Sequence, residues 1–233
     1  MTDMRRNLAT AATAYRRFVR QAQGADRSTP TRLVGWTVGD LIDHVAWAAA
    51  MEADAIRAAV GSPVRPQAAG LAAAVASFED ASTLEIAPDA LVTVPAGSVP
   101  AVFAAALFAY EAALHAADLA HALGADTVLS ADELAAAETV LGPLLDLVAE
   151  RLPAEPVTID LIGSGHDIRL SADPSTGTWT RSVPVATEPA TTTITGSREQ
   201  IVLFVSGRIG AEALQVTGVG EHAERFKTYF PGP

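Results

Sequence analysis

The sequence predicts an α + (α+β) protein, with an N-terminal four-helix bundle over residues 1–152 and a small α+β domain over 154–233. Three observations carry that expectation. Up to about Arg151 the apolar residues recur at helical spacing, in long segments with short links, which is the pattern of a bundle of four or five helices. From Pro153 the texture changes to short alternating runs such as Val157-Thr158-Ile159-Asp160-Leu161-Ile162, which read as strands. Pro153-Ala154-Glu155-Pro156 forms the joint between the two.

The first helix is expected from about Asp3 to Ala22, with Leu8, Ala12, Tyr15, Phe18, Val19 and Ala22 on its apolar side. Gly24 to Arg32 is a loop. Thr37 then caps a second helix, Asp40 completes a capping box, and Trp36 is placed to staple onto Leu41 and to be buried. This helix should reach about Val60, with Leu41, His44, Val45, Ala48 and Met51 facing inward. After a break over Gly61 to Pro66, a third, alanine-rich helix spans Gln67 to Asp80. Leu84 to Pro100, with two prolines in a short apolar run, is an irregular connection, extended where it packs. Val102 to Leu123 is the central helix, ended by Gly124 at the glycine position past a C-terminus. Ser130, with Glu133 three residues on, opens a helix to about Arg151. In the second domain a hairpin pairs Val157–Ile162 with Asp167–Ser171 through Gly163-Ser164-Gly165, and further strands fall at Thr178–Arg181, Thr191–Thr195 and Leu214–Val216. Ser197 and Gln200 cap a helix through Val205, and Glu221 to Tyr229 forms the last helix.

Composition narrows the function. With 49% hydrophobic and 18% charged residues the chain of 233 folds around a real core. A net charge of −11 argues against a nucleic-acid partner, which would need a basic face. The N-terminal amphipathic pattern is interrupted by Arg16, Arg17 and Arg20, so it is neither a signal peptide nor a membrane span, and a cytoplasmic location follows as an expectation. The absence of cysteine excludes thiolate-ligated metals and any protein thiol nucleophile, so a sulfur in the chemistry must arrive on a small molecule.

The chemistry-bearing stretch is Phe108 to Asp118. At about 100° per residue, Glu111, His115 and Asp118 share a stripe about 60° wide on an otherwise apolar helix. Burying a carboxylate beside an imidazole needs a partner, and either a divalent cation or a plain Glu–His ion pair supplies it. A metal needs a third ligand from another element, and His44 is the natural one. Two imidazoles and one carboxylate suit zinc first, then iron, nickel or cobalt. Asp118 serves either as a partner behind His115 or as the mate of an arginine, and Asp40 lies one turn before His44. His121 is about 120° off the stripe, and His166 and His222 fall where solvent is expected. No Walker loop, G-x-S-x-G, H-E-x-x-H or dinucleotide fingerprint is present.

Trp36-Thr37-Val38-Gly39-Asp40-Leu41-Ile42-Asp43-His44 resembles the W-(S/T)-V-x-D-L-x-x-H signature of the mycothiol-dependent maleylpyruvate isomerase family, actinobacterial members of the DinB-like metal-binding bundles. Glu111 to Ala120 resembles that family's E-x-x-x-H-x-x-D-L-A segment. Gly207-Arg208, Leu214 to Gly218 and Phe230-Pro231-Gly232-Pro233 resemble its second, sterol-carrier-like domain. The resemblance implies a divalent metal, usually zinc, on His44, Glu111 and His115, and mycothiol as the thiol cosubstrate. It also implies an arginine of the second domain at the site, matched to Arg208; a plain helix-end role explains Arg208 equally. The expected function is metal-dependent activation of mycothiol for isomerisation or transfer on a small organic acid, as a monomer or homodimer. The alternative is a non-catalytic metal-containing module that binds an apolar ligand or a protein partner.

Overall fold

The computed structural model describes residues 2–63, 70–95, 97–125, 128–163 and 167–231. Eight helices and seven strands lie among them, in two compact units, Met1–Ala137 and Glu138–Pro233. The division falls inside one helix, Ala131–Val148.

In the first unit, α1 (Thr2–Ala22) buries Met4, Leu8, Ala11, Tyr15 and Phe18, a stripe at alternating four- and three-residue steps. It packs on α4 (Ala101–Ala122) and on α3 (Leu71–Ser82), and α2 (Val38–Ala59) packs on α3. The start of α2 is the expected capping box, with Thr37 and Asp40 each satisfying the other's backbone N–H. Trp36 is half-buried rather than sealed in the core, and its ring lies edge-on to that of His44, with centroids 5.1 Å apart. Residues 67–69 of the expected third helix lie outside the described residues, and the helix seen starts at Leu71.

Sequence periodicity understates the connection before α4. Leu91–Val94 (β1) and Gly97–Pro100 (β2) form a small antiparallel hairpin, with Val92 and Val94 buried and Leu91 exposed. Pro95 does not disrupt it because it stands at the turn, and Pro100 serves as the N-cap residue of α4. α4 is buried on almost every side, which is why alanine dominates it. Among the described residues it is the one helix long and apolar enough to cross a membrane, but most of it is covered by the protein itself. It ends in a left-handed Gly124 (φ 72°), whose N–H reaches His121 O while Ala125 N–H reaches Ala120 O, a paired closure of the last turn.

α5 (Ala131–Val148) opens with Ser130 and Glu133 bonded reciprocally, and stops three residues short of the expected end. The second unit is built on a five-stranded sheet in the order β5-β4-β3-β6-β7, from β3 (Val157–Ile162), β4 (Ile168–Asp173), β5 (Thr178–Ser182), β6 (Thr192–Thr195) and β7 (Gln215–Gly218). β3 and β6 run parallel and the other pairs antiparallel. Val157, Ile159 and Leu161 face the core, while Asp160 meets its register partner Arg169 in a two-pronged pair at 2.8 Å and 2.8 Å. The tip of this hairpin, Ser164 to His166, lies outside the described residues, as do Gly232 and Pro233. Gly163 cannot be replaced without a shift, because a Cβ there would run into the carbonyl of Gly196. α6 (Arg198–Val205) carries the Ser197–Gln200 capping box. The expected last helix is two short ones, α7 (Gly220–Glu224) and α8 (Phe226–Tyr229). Arg225 (φ −90°, ψ 4°) breaks the run, and Ala223, Phe226, Tyr229 and Phe230 are all buried around it.

Candidate metal centre

Two helices of the first unit supply the centre. The cap at Thr37 starts α2, and seven residues later His44 emerges at the edge of its buried stripe. α4 brings Glu111 and His115 one turn apart on the side that faces His44. The three residues each offer a ligand atom, and these atoms lie within 4.8 Å of one another. Glu111 Oε2 and His115 Nε2 are 3.4 Å apart. The two imidazoles meet edge to face, with centroids 4.8 Å apart at 76°. His115 is buried, whereas His44 and Glu111 are half-buried, so the centre is closed at its inner end and open at its outer one.

The residues fit a divalent cation. In a tetrahedral site with bonds of about 2.0–2.1 Å, ligand atoms stand about 3.3 Å from one another. The Glu111–His115 separation already has that value, and the His44 donor lies within 4.8 Å of both. Three protein donors, two nitrogens and one oxygen, leave a further coordination position open.

Behind the donors, His115 Nδ1 is 3.3 Å from Asp118 Oδ2, and Asp118 Oδ1 accepts a hydrogen bond of 2.7 Å from Arg32 Nε. Asp118 therefore does both things the sequence allowed it: it backs His115 and it pairs with an arginine. Burial pulls the proton affinity of His115 down, but hydrogen bonds and charge from Asp118 and Glu111 outweigh it and the net shift is upward. Asp40 does not serve His44, because its carboxylate accepts from Thr37 N and Oγ1 in the cap.

Four neighbours were not tied to the centre from the sequence. Glu52 is 2% exposed and accepts a hydrogen bond of 2.8 Å from the buried Tyr15 hydroxyl. Burial drives the Glu52 carboxyl well above the usual carboxylate range, against the Tyr15 hydrogen bond and with help from the charge of Glu111. Burial, Glu52 and Glu111 raise Tyr15 in the same way. Glu52 did leave a signal: it occupies the same stripe of α2 as Leu41, Val45, Ala48 and Ile56, an acid in an apolar row. Trp47, 50% exposed, has its ring centroid 5.8 Å from that of His44. Arg32 comes from the loop before α2, where no periodicity marks it.

The other histidines are not among the three that cluster. His121 is exposed, His222 is half-buried with Nδ1 3.1 Å from the Tyr229 hydroxyl, and His166 lies outside the described residues. Arg208 is in the second unit, just past α6. It is buried and its Nη1 donates to Ser206 O at 2.6 Å, the contact of a cation at a helix C-terminus.

Fold and donor set together define a helical-bundle protein with a candidate metal centre of two histidines and a glutamate, carrying a small α+β domain at its C-terminal end. Residues 8–120 match the family described as the mycothiol maleylpyruvate isomerase N-terminal domain. The match identifies the N-terminal bundle as a domain of that kind and does not extend to the second unit. No curated protein sequence matches it. A solved structure described as the crystal structure of the mycothiol-dependent maleylpyruvate isomerase is 22% identical, covers 92% of each chain, and gives a TM-score of 0.57. At that identity the likeness is one of fold.

Proposed function

We propose that the protein is a mycothiol-dependent enzyme in which His44, Glu111 and His115 hold a divalent cation, zinc first, and that it isomerises a small unsaturated keto-diacid of the maleylpyruvate type. The observation that carries this reading is the convergence of the three donors within a domain of the mycothiol maleylpyruvate isomerase family. A solved relative of the same fold, itself a mycothiol-dependent maleylpyruvate isomerase, supports it.

When bound, the cation supplies a Lewis acid that lowers the pKa of an incoming thiol and makes the thiolate available near neutral pH. The chain's own residues prepare for that nucleophile. With no cysteine present, no protein thiolate competes for the open position. Burial and the charge of Glu111 raise the proton affinity of Glu52, which disfavours a second negative charge beside Glu111. Trp36 packs on His44 and fixes its ring. The reaction is a balanced loop: the sulfur adds to the alkene carbon conjugated to a carbonyl, the former double bond rotates, and the sulfur leaves as the double bond reforms. Nothing is oxidised or reduced, and the thiol is regenerated.

Arg208 is proposed to bind a substrate carboxylate. Its guanidinium sits close enough to Lys227 that, after burial, it helps push that amine down to about 8. The test is metal analysis of the purified protein, then titration of the cobalt-substituted form with mycothiol, then turnover of maleylpyruvate followed by ultraviolet absorbance. A sulfur-to-cobalt charge-transfer band and turnover that needs both metal and mycothiol are expected. Cobalt-loaded protein without that band at saturating mycothiol would remove the proposal. Arg208→Ala should keep the band and lose turnover.

A further inference from the structure

The Asp118 side chain is fully buried, and its two oxygens are divided between two partners: Oδ2 toward His115 Nδ1 at 3.3 Å, Oδ1 toward Arg32 Nε at 2.7 Å. Arg32, 86 residues away in sequence, is 14% exposed, and its buried Nη2 has no hydrogen-bond partner among the described residues. A guanidinium held by one N–H, with another left unpaired, is not arranged for the greatest ion-pair stability, which a fork-to-fork pair would give. It is arranged to turn a carboxylate.

Where that carboxylate points matters for His115. A neutral imidazole carries one N–H, and the partner of each nitrogen decides which one bears it. An ionised carboxylate only accepts, so two carboxylates compete for the imidazole proton: Asp118 Oδ2 draws it to Nδ1, and Glu111 Oε2, 3.4 Å from Nε2, draws it to the side shared with His44. With Oδ1 bound to Arg32, the carboxylate cannot rotate away from Nδ1.

The Arg32 loop also reaches the other histidine. Thr31 N–H donates to Trp36 O at 2.9 Å, Pro30 forms a bridge with Thr37, and Trp36 lies against His44. One short segment therefore contacts both imidazole donors, one through Asp118 and the other through Trp36.

We propose that Arg32 is a positioning residue for the centre: it fixes the Asp118 carboxylate against Nδ1 and so biases His115, against the pull of Glu111 on Nε2, toward the Nδ1–H tautomer whose Nε2 can ligate. The ligand role of His115 rests on the function proposed above; the tautomer does not. The test compares the full-length protein with Arg32→Gln, which is close in size but lacks the charge and the Nε–H donor, and with Arg32→Lys. In metal-free, histidine-¹⁵N-labelled protein at alkaline pH, the Nδ1–H share of His115 should be larger in the parent than in Arg32→Gln. Zinc affinity, measured by chelator competition, should fall by about 10–100-fold in Arg32→Gln and recover substantially in Arg32→Lys, which restores the charge. A folded Arg32→Gln with the parent's Nδ1–H share and an affinity within about threefold of the parent's overturns the proposal, since second-sphere partners act on both. If Arg32→Gln does not fold, Asp118→Asn takes its place: its amide can donate as well as accept, so the same fall in the Nδ1–H share and the same loss are expected, and an unchanged share overturns the idea. A parent protein that binds no zinc would refute the metal reading, while the tautomer comparison would still decide the role of Arg32.

Discussion

Trp36→Ala probes the junction between fold and site. A fully buried tryptophan removes about 150–250 Å² from water. Trp36 is half-buried, so about 100 Å² is at stake, or about 2.5 kcal/mol at about 25 cal/mol per Å². The edge-to-face contact with His44, at 5.1 Å, adds about 0.5–1.5 kcal/mol, and the Cβ that alanine keeps offsets part of the total. The expected loss is about 2–3 kcal/mol, below the 3–5 kcal/mol of a sealed core tryptophan, because solvent fills the space and no closed cavity forms. Urea unfolding of metal-free protein, followed by circular dichroism at 222 nm, reports mainly the helical unit. Zinc affinity measured in parallel should also fall, since His44 loses its packing partner. A loss under about 1 kcal/mol with unchanged affinity would show that Trp36 does not brace His44. A loss above about 4 kcal/mol would show that it is a core residue and that its half-exposure is wrong.

Other expectations follow from the same geometry. His115→Ala should abolish both zinc binding and turnover, because two remaining ligands hold a divalent ion poorly; retention of stoichiometric zinc on metal analysis would contradict the donor set. Tyr15→Phe keeps the edge contact with Phe78 but strips the buried Glu52 of its donor, so denaturation should show a loss of about 1–3 kcal/mol, and no loss would mean the carboxyl is satisfied elsewhere. Lys227, lowered to about 8 from 10.5 by burial and by Arg208, binds its proton more weakly folded than unfolded. Its contribution to stability should therefore rise as pH climbs from about 8 to about 10.5, and Lys227→Met should flatten that rise. Partial exposure screens the amine, so the rise should be much smaller than the full shift would give.

The sequence by itself determined what acts over a turn or two of chain. The capping pairs Thr37–Asp40, Ser130–Glu133 and Ser197–Gln200 all form where their spacing placed them, because a side chain closing on a backbone N–H three residues away depends on little else. The alternation in Val157–Ile162 settled which face of β3 is buried, and the four-residue step from Glu111 to His115 put both on one side of α4. Tertiary structure decided everything that joins distant segments. It set β3 beside β6 in parallel, made a hairpin of a stretch whose prolines suggested irregularity, and split the last helix at Arg225. It also brought His44 to within a few ångströms of Glu111 and His115, gave Glu52 to Tyr15, and closed Arg32 on Asp118. Those contacts arise from the packing of whole elements against one another, where the cost of burying a charge is met by whichever partner the fold delivers, and no local spacing encodes that partner.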